Sequence, residues 1–225
     1  MKTVLVIILL TITTPILAQH NCSKYYASQP GVKLIHKHLD KRDRLMMRSE
    51  YIVTGANAIG VDVDFNLWDK DGEIMTNGSF TMGCENRTTY LAPETITANL
   101  LRQYPQIEYE VVVNDAVGIP NNLSIDQELP AGSVSIEIDG QFVKIGWESI
   151  VTNRRVVAQE DITTPAGTFS CYVIDQTNIL KGRLGTKTYD QTVWIAQGIG
   201  MVMEETRKQN GRMVSATILE YVEGL

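Results

Sequence analysis

The chain has 225 residues, 44% of them hydrophobic and 20% charged, which suits a globular core and excludes a collagen-like, low-complexity or wholly disordered polymer. With 20 basic against 26 acidic residues the net charge is −6. That balance supplies no cationic face to displace counterions from phosphates, so nucleic acid is excluded as an expected partner.

The first eighteen residues have their own grammar. Lys2 is followed by an apolar or Thr run over 4–17, then by Ala18 and the polar Gln19-His20-Asn21. A charged start, a short apolar stretch and a small residue at the boundary are the layout of a secretory signal peptide, cut after Ala18. The run is shorter than the ~20 residues a membrane-crossing helix needs. The expected organisation is therefore a signal peptide over 1–18 and one domain over 19–225. Export to the periplasm or beyond implies an oxidising compartment, and Cys22, Cys84 and Cys171 are first read as disulfide candidates. Three cysteines permit one bridge and three pairings.

In chain order, strands are expected over 32–38 and 46–54, divided by the charged turn 40–43. Val61-Asp62-Val63-Asp64-Phe65-Asn66-Leu67 is the clearest alternation, apolar on one face and polar on the other. The turn 69–72 leads into a second strand over 73–84, making a hairpin. Between Pro93 and Pro105 the pattern changes. Ile96, Leu100 and Tyr104 recur at helical spacing, Pro93 suits a first helical turn and Pro105 ends it, so an amphipathic helix is expected there. Residues 114–132 read as a loop. Strands return over 134–138, 141–147, 169–175, 188–196, 200–206 and 213–223, with turns at 139–140, 163–168 and 209–211.

Catalytic and metal constellations are weak. Asp62-x-Asp64-x-Asn66 with Glu73 at the twelfth position has the spacing of a calcium loop. Leu67 occupies the place of the turning glycine, and the alternation argues for a solvated strand face. His36 and His38 share one face of a strand without a third ligand nearby. Glu204 and Glu205 point to opposite faces, so they cannot work as an acid–base pair. No Gly-x-Ser-x-Gly elbow and no phosphate-binding glycine loop is present. The expectation is a protein that is not an enzyme, with no cofactor, no catalytic residue and no metal. The soft apolar set of Trp68, Met82, Trp147 and Trp194 supplies the candidate ligand-binding residues, weighed against plain core filling.

The last third adds a resemblance. Asn153-Arg154-Arg155-Val156-Val157-Ala158-Gln159-Glu160, then Thr164-Pro165-Ala166-Gly167-Thr168-Phe169-Ser170-Cys171-Tyr172, then Trp194-Ile195-Ala196-Gln197-Gly198-Ile199-Gly200-Met201-Val202 follow in that order. This resembles a group of exported bacterial proteins built on a domain of unknown function and related to the periplasmic lipoprotein carriers. The resemblance implies a mainly β (α+β) fold: a long, strongly curved antiparallel sheet, a half-barrel, with one or two helices packed on its concave face. It also implies an acyl or other lipid-like ligand in the hollow, and no catalytic residue. In such a meander the strands run alternately up and down, and Cys84 finishes at the edge where the first strand begins. Cys22 lies just before that edge, so Cys22–Cys84 is the preferred bridge, with Cys84–Cys171 sterically open.

Three functions are then ranked. First comes an exported envelope protein binding an apolar ligand, and second a structural or interaction module that docks another envelope protein. A hydrolase with a Cys beside His36 or His38 is third.

Overall fold

The computed structural model describes residues 22–91, 110–139, 144–183 and 185–225. Fourteen strands account for most of them. They are β1 (Lys33–Asp40), β2 (Leu45–Ala56), β3 (Gly60–Asp69), β4 (Ile74–Glu85), β5 (Thr88–Tyr90), β6 (Glu110–Asp115) and β7 (Gly118–Pro120). After these come β8 (Glu128–Leu129), β9 (Gly132–Asp139), β10 (Lys144–Thr164), β11 (Gly167–Gly182), β12 (Gly185–Ala196), β13 (Gly200–Lys208) and β14 (Met213–Glu223).

Period-two alternation becomes burial as expected. On β3, Val61, Val63, Phe65 and Leu67 are buried while Asp64 between them is exposed. The turns carry the chemistry the sequence announces. Asp69 accepts the backbone N–H groups of Asp71 and Glu73, and Gly72 supplies the left-handed residue before β4. Thr164 pairs with Gly167 across Pro165-Ala166, and Gly211 turns β13 into β14.

All described strands join one antiparallel path, β6-β9-β10-β11-β12-β13-β14-β1-β2-β3-β4-β5-β7, with β8 beside β10. Its two end strands, β6 and β7, are separated in the chain only by Ala116 and Val117, so the path comes back on itself. Register shifts concentrate the bending. They fall in β1, β2, β3, β6 and β10, and in the β12–β13 and β13–β14 pairs. β10 has 21 residues, about 70 Å if straight, and breaks register twice, between Thr152 and Arg155 and between Val156 and Ala158.

One feature of the expected fold is corrected. No helix occurs among the described residues, so no helix packs on the concave face there. The helix expected over 93–105 lies outside the described residues. The inner face is covered instead by the sheet itself and by extended chain. Val53, Val63 and Met82 from β2–β4 share one buried cluster with Val173, Trp194 and Val202 from β11–β13. A second cluster brings Ile119, Leu123 and Leu129 of the 117–129 segment against Val156, Ile174, Val193 and Ile195, with Tyr25 added from the N-terminal segment. A sheet that curls this far buries its own apolar face, which removes the physical need for a helical cover.

The N-terminal segment is pinned at several points. Cys22 is disulfide-bonded to Cys84, Asn121 bonds both the Lys24 N–H and the Cys22 carbonyl, and Tyr26 bridges Ile199. Gly200, at φ 95°, lies against the Tyr26 ring, where a Cβ would sit 2.7 Å from Cδ1. Gly198 and Gly200 therefore turn the chain beneath an aromatic ring at the β12–β13 connection.

Candidate functional site

The curled sheet encloses a hollow of about 500 Å³. Much of its wall is apolar, formed by Leu34, Val53, Val63, Phe80, Met82 and Val117, with Ile119, Val151, Ile174, Val193 and Met201. Such a volume lies within the ~300–1,000 Å³ typical of small-molecule sites.

A polar belt crosses this wall. It begins at Arg154, which is 3% exposed. Asn153 takes a left-handed conformation (φ 50°) inside the first β10 register shift, and Arg154 lies at the hollow instead of on the outer face. Its Nη1 donates to the carbonyls of Gly118 (3.0 Å) and Pro130 (2.8 Å), tying the 117–130 segment to the sheet. Its Nε donates to Gln176 Oε1 at 3.2 Å. Gln176 Nε2 then donates to Gln191 Oε1, and Gln191 Nε2 to Thr206 Oγ1, both at 3.2 Å. The Thr206 hydroxyl in turn serves Glu204. Gln176, Gln191 and Thr206 stand directly opposite one another on β11, β12 and β13, so the register alone aligns the chain. Every donor in it points away from the cation and toward the acid.

The belt continues onto the other half of the sheet. Glu204 lies opposite Thr217 on β14, and Thr217 opposite His38 on β1. His38 is hydrogen-bonded through Nδ1 to Thr217 Oγ1 (3.0 Å) and through Nε2 to Ser49 Oγ (2.9 Å). Two residues earlier on the same strand, His36 donates Nε2–H to the Met201 carbonyl at 2.8 Å. That bond leaves Nδ1 as an acceptor with no partner among the described residues.

Burial sets the charge states. It pushes the Glu204 carboxyl up to about 7, against the smaller opposing effect of the Thr206 hydroxyl. It pushes the His36 imidazole down, the bond to Met201 opposing. Burial lowers Arg154 to about 10, leaving it cationic at neutral pH, with the neighbouring Tyr26 hydroxyl acting in the other direction. Two further acids line the hollow with cations of their own, Asp40 with Arg44 and Glu148 with Lys181.

The residues singled out from sequence divide in two. Met82 and Trp147 line the hollow. Trp194 is buried in the first core cluster, where its Nε1 donates to Glu160, and Trp68 is half-buried on β3; neither is part of the lining. His36 and His38 do share a face, and it is the concave one. Glu204 and Glu205 do face opposite ways: Glu204 into the hollow, Glu205 toward Arg207. Arg154 and Glu204 were not legible as site residues. The only signal was Asn153, a residue type that tolerates positive φ, before a pair of arginines.

Two potential nucleophiles, Ser49 and Cys171, are both buried. Ser49 is within hydrogen-bond reach of His38, but it is 0% exposed and not part of the lining, so a substrate has no route to its hydroxyl. Cys171 is buried and its thiol is pushed up to about 11 by burial, with Asp161 and Glu160 adding to the rise. A thiolate nucleophile is not available there near neutral pH.

A family model described as DUF3108-like matches residues 29–219. Two crystal structures are similar over most of the chain. One is a Bacteroides fragilis protein described as exported and as having a YmcC-like fold, with a TM-score of 0.78 at 18% identity, covering 90% of this chain and 100% of that one. The other is a Parabacteroides distasonis protein described as a lipoprotein, with a TM-score of 0.77 at 21% identity, covering 90% and 99%. At these identities the likeness is one of fold. No curated protein matches the sequence.

Proposed function

We propose that this chain, which belongs to the DUF3108-like family, is an exported, non-enzymatic protein of the bacterial envelope that holds an apolar, lipid-like ligand inside its curled sheet. The observation that carries this reading is the hollow, about 500 Å³ behind a wall rich in Leu, Val, Ile, Met and Phe. Each methylene moved from water into such a space is worth about 0.8 kcal/mol. Export is supported by the signal-peptide pattern of residues 1–18 and by the two structural relatives, described as an exported protein and a lipoprotein. A non-enzymatic role is supported by the inaccessible Ser49 hydroxyl and the protonated Cys171 thiol.

The test is native mass spectrometry of the mature protein prepared without detergent, followed by organic extraction. A lipid-sized adduct that extracts into solvent is the expected result. A bare mass, together with failure to take up a neutral hydrophobic fluorophore, refutes the reading. Weight then shifts to docking of another envelope protein.

A further inference from the structure

We infer that the hollow takes an amphiphile with an anionic head, held by Arg154, and that the apolar chain of this molecule lies along the wall formed by Val117, Ile119, Ile174 and Val193. This deepens the ligand-binding reading and rests on it. Arg154 carries an unbalanced charge. Arg154 is 3% exposed, yet its three hydrogen bonds go to neutral oxygens, two backbone carbonyls and one amide. No carboxylate is within ion-pair reach of it among the described residues, and its Nη2 has no hydrogen-bond partner among them. A buried charge in that condition is costly, because carbonyl dipoles recover only part of the lost hydration.

The other charges of the hollow sharpen the point. Arg154 is the only arginine or lysine among its described lining residues. Asp40 and Glu148 are served by Arg44 and Lys181. Glu204 stands at the far end of the hydrogen-bonded chain, three strands away, with the Thr206 hydroxyl as its donor. The hollow thus keeps its acids apart from its cation and leaves the guanidinium for something else. A guanidinium edge matches the oxygens of a carboxylate or phosphate, and such bonds strengthen away from water. The surroundings fix the rest of the ligand. Gly118, whose carbonyl binds Nη1, lies between Val117 and Ile119, both on the wall. A head seated at Arg154 therefore continues directly onto apolar surface, which suits an amphiphile and not a free inorganic anion.

The experiment measures displacement of a neutral hydrophobic fluorophore from the mature protein by dodecanoate, monododecyl phosphate and dodecanol, each below its micelle concentration. The expected result is that at least one of the two anions binds about tenfold or more tightly than the alcohol. Which anion is preferred identifies the head as carboxylate or phosphate. R154Q should erase that preference while dodecanol still binds, and R154K should keep part of it. Equal binding of the alcohol and both anions overturns the inference and leaves the apolar-ligand reading standing. A preference that survives in R154Q overturns the assignment to Arg154. If none of the three displaces the fluorophore, or the fluorophore itself does not bind, the ligand-binding reading has failed. The wild-type comparison needs no variant to fold.

Discussion

Replacing Glu204 by Gln should stabilise the protein at alkaline pH and leave it nearly unchanged at acid pH. The carboxyl faces the hollow and is half-buried, and burial raises its pKa from the ordinary 4.5 to about 7. The folded protein therefore holds this proton more tightly than the unfolded chain does. By linkage, the contribution to stability is complete below about 4.5 and is lost as the pH rises through about 7. At ~1.4 kcal/mol per pH unit the full difference is about 3.5 kcal/mol, and screening within a partly accessible hollow reduces it to roughly 1–2 kcal/mol. Gln is neutral throughout and its carbonyl can still accept the Thr206 hydroxyl, so it avoids the alkaline penalty without breaking the chain. Urea unfolding of wild type and E204Q at pH 5, 6, 7 and 8 measures the effect. The two should coincide near pH 5 and separate by roughly 1–2 kcal/mol at pH 8, with the variant more stable. Because His36 is common to both proteins, its own titration cancels in the difference. A pH-independent gap, or a wild type that gains on the variant toward pH 8, refutes the reasoning.

Four further outcomes are expected. Substituting Ser for both Cys22 and Cys84 opens a loop with a sequence separation of 62, which should cost about 4 kcal/mol by the chain-entropy estimate. Thiol titration of the native wild type should find Cys171 unreactive until the protein is denatured; fast labelling would show that the buried position is wrong. Gly200→Ala forces a side chain into a left-handed residue and against the Tyr26 ring, and should cost roughly 1–3 kcal/mol in urea unfolding. A neutral result would remove the proposed contact. The His36 ring should stay neutral below its ordinary 6.5, since burial disfavours the imidazolium, so its contribution to stability is lost as pH falls below that value. An NMR titration of the ring with a midpoint at or above 6.5 contradicts this.

Local chemistry made most of the sheet readable. Alternation over 61–67, the Asp-x-Asp-Gly turn at 69–72 and the Asn-Gly turn at 210–211 each impose their structure within a few residues, and each appears where it was expected. β10 was read far too short. Its continuation through Val156-Val157-Ala158 breaks the period of two, because register shifts at Thr152/Arg155 and Val156/Ala158 reset which face each side chain meets. The short strands β7 and β8 inside the expected 114–132 loop exist only through distant partners, Thr88–Tyr90 and Arg154–Arg155, and a three-residue strand carries no periodicity of its own.

The site divides along the same line. That β1 presents His36 and His38 to one face, and that Glu204 and Glu205 part company, follows from strand geometry, which any two residues on one strand obey. That Arg154, Gln176, Gln191, Thr206 and Glu204 form one polar chain does not follow, since they come from four strands. Sequence by itself determined an antiparallel β protein, with its turns and the alternation of apolar and polar faces along its strands, because those are set by neighbours two to four residues apart. Only the tertiary structure decided that the sheet curls far enough to cover itself without a helix among the described residues, and that a bulge at Asn153 places an arginine in the wall of the hollow. Curvature is the sum of many small register shifts, and which side chain meets which across it depends on all of them together.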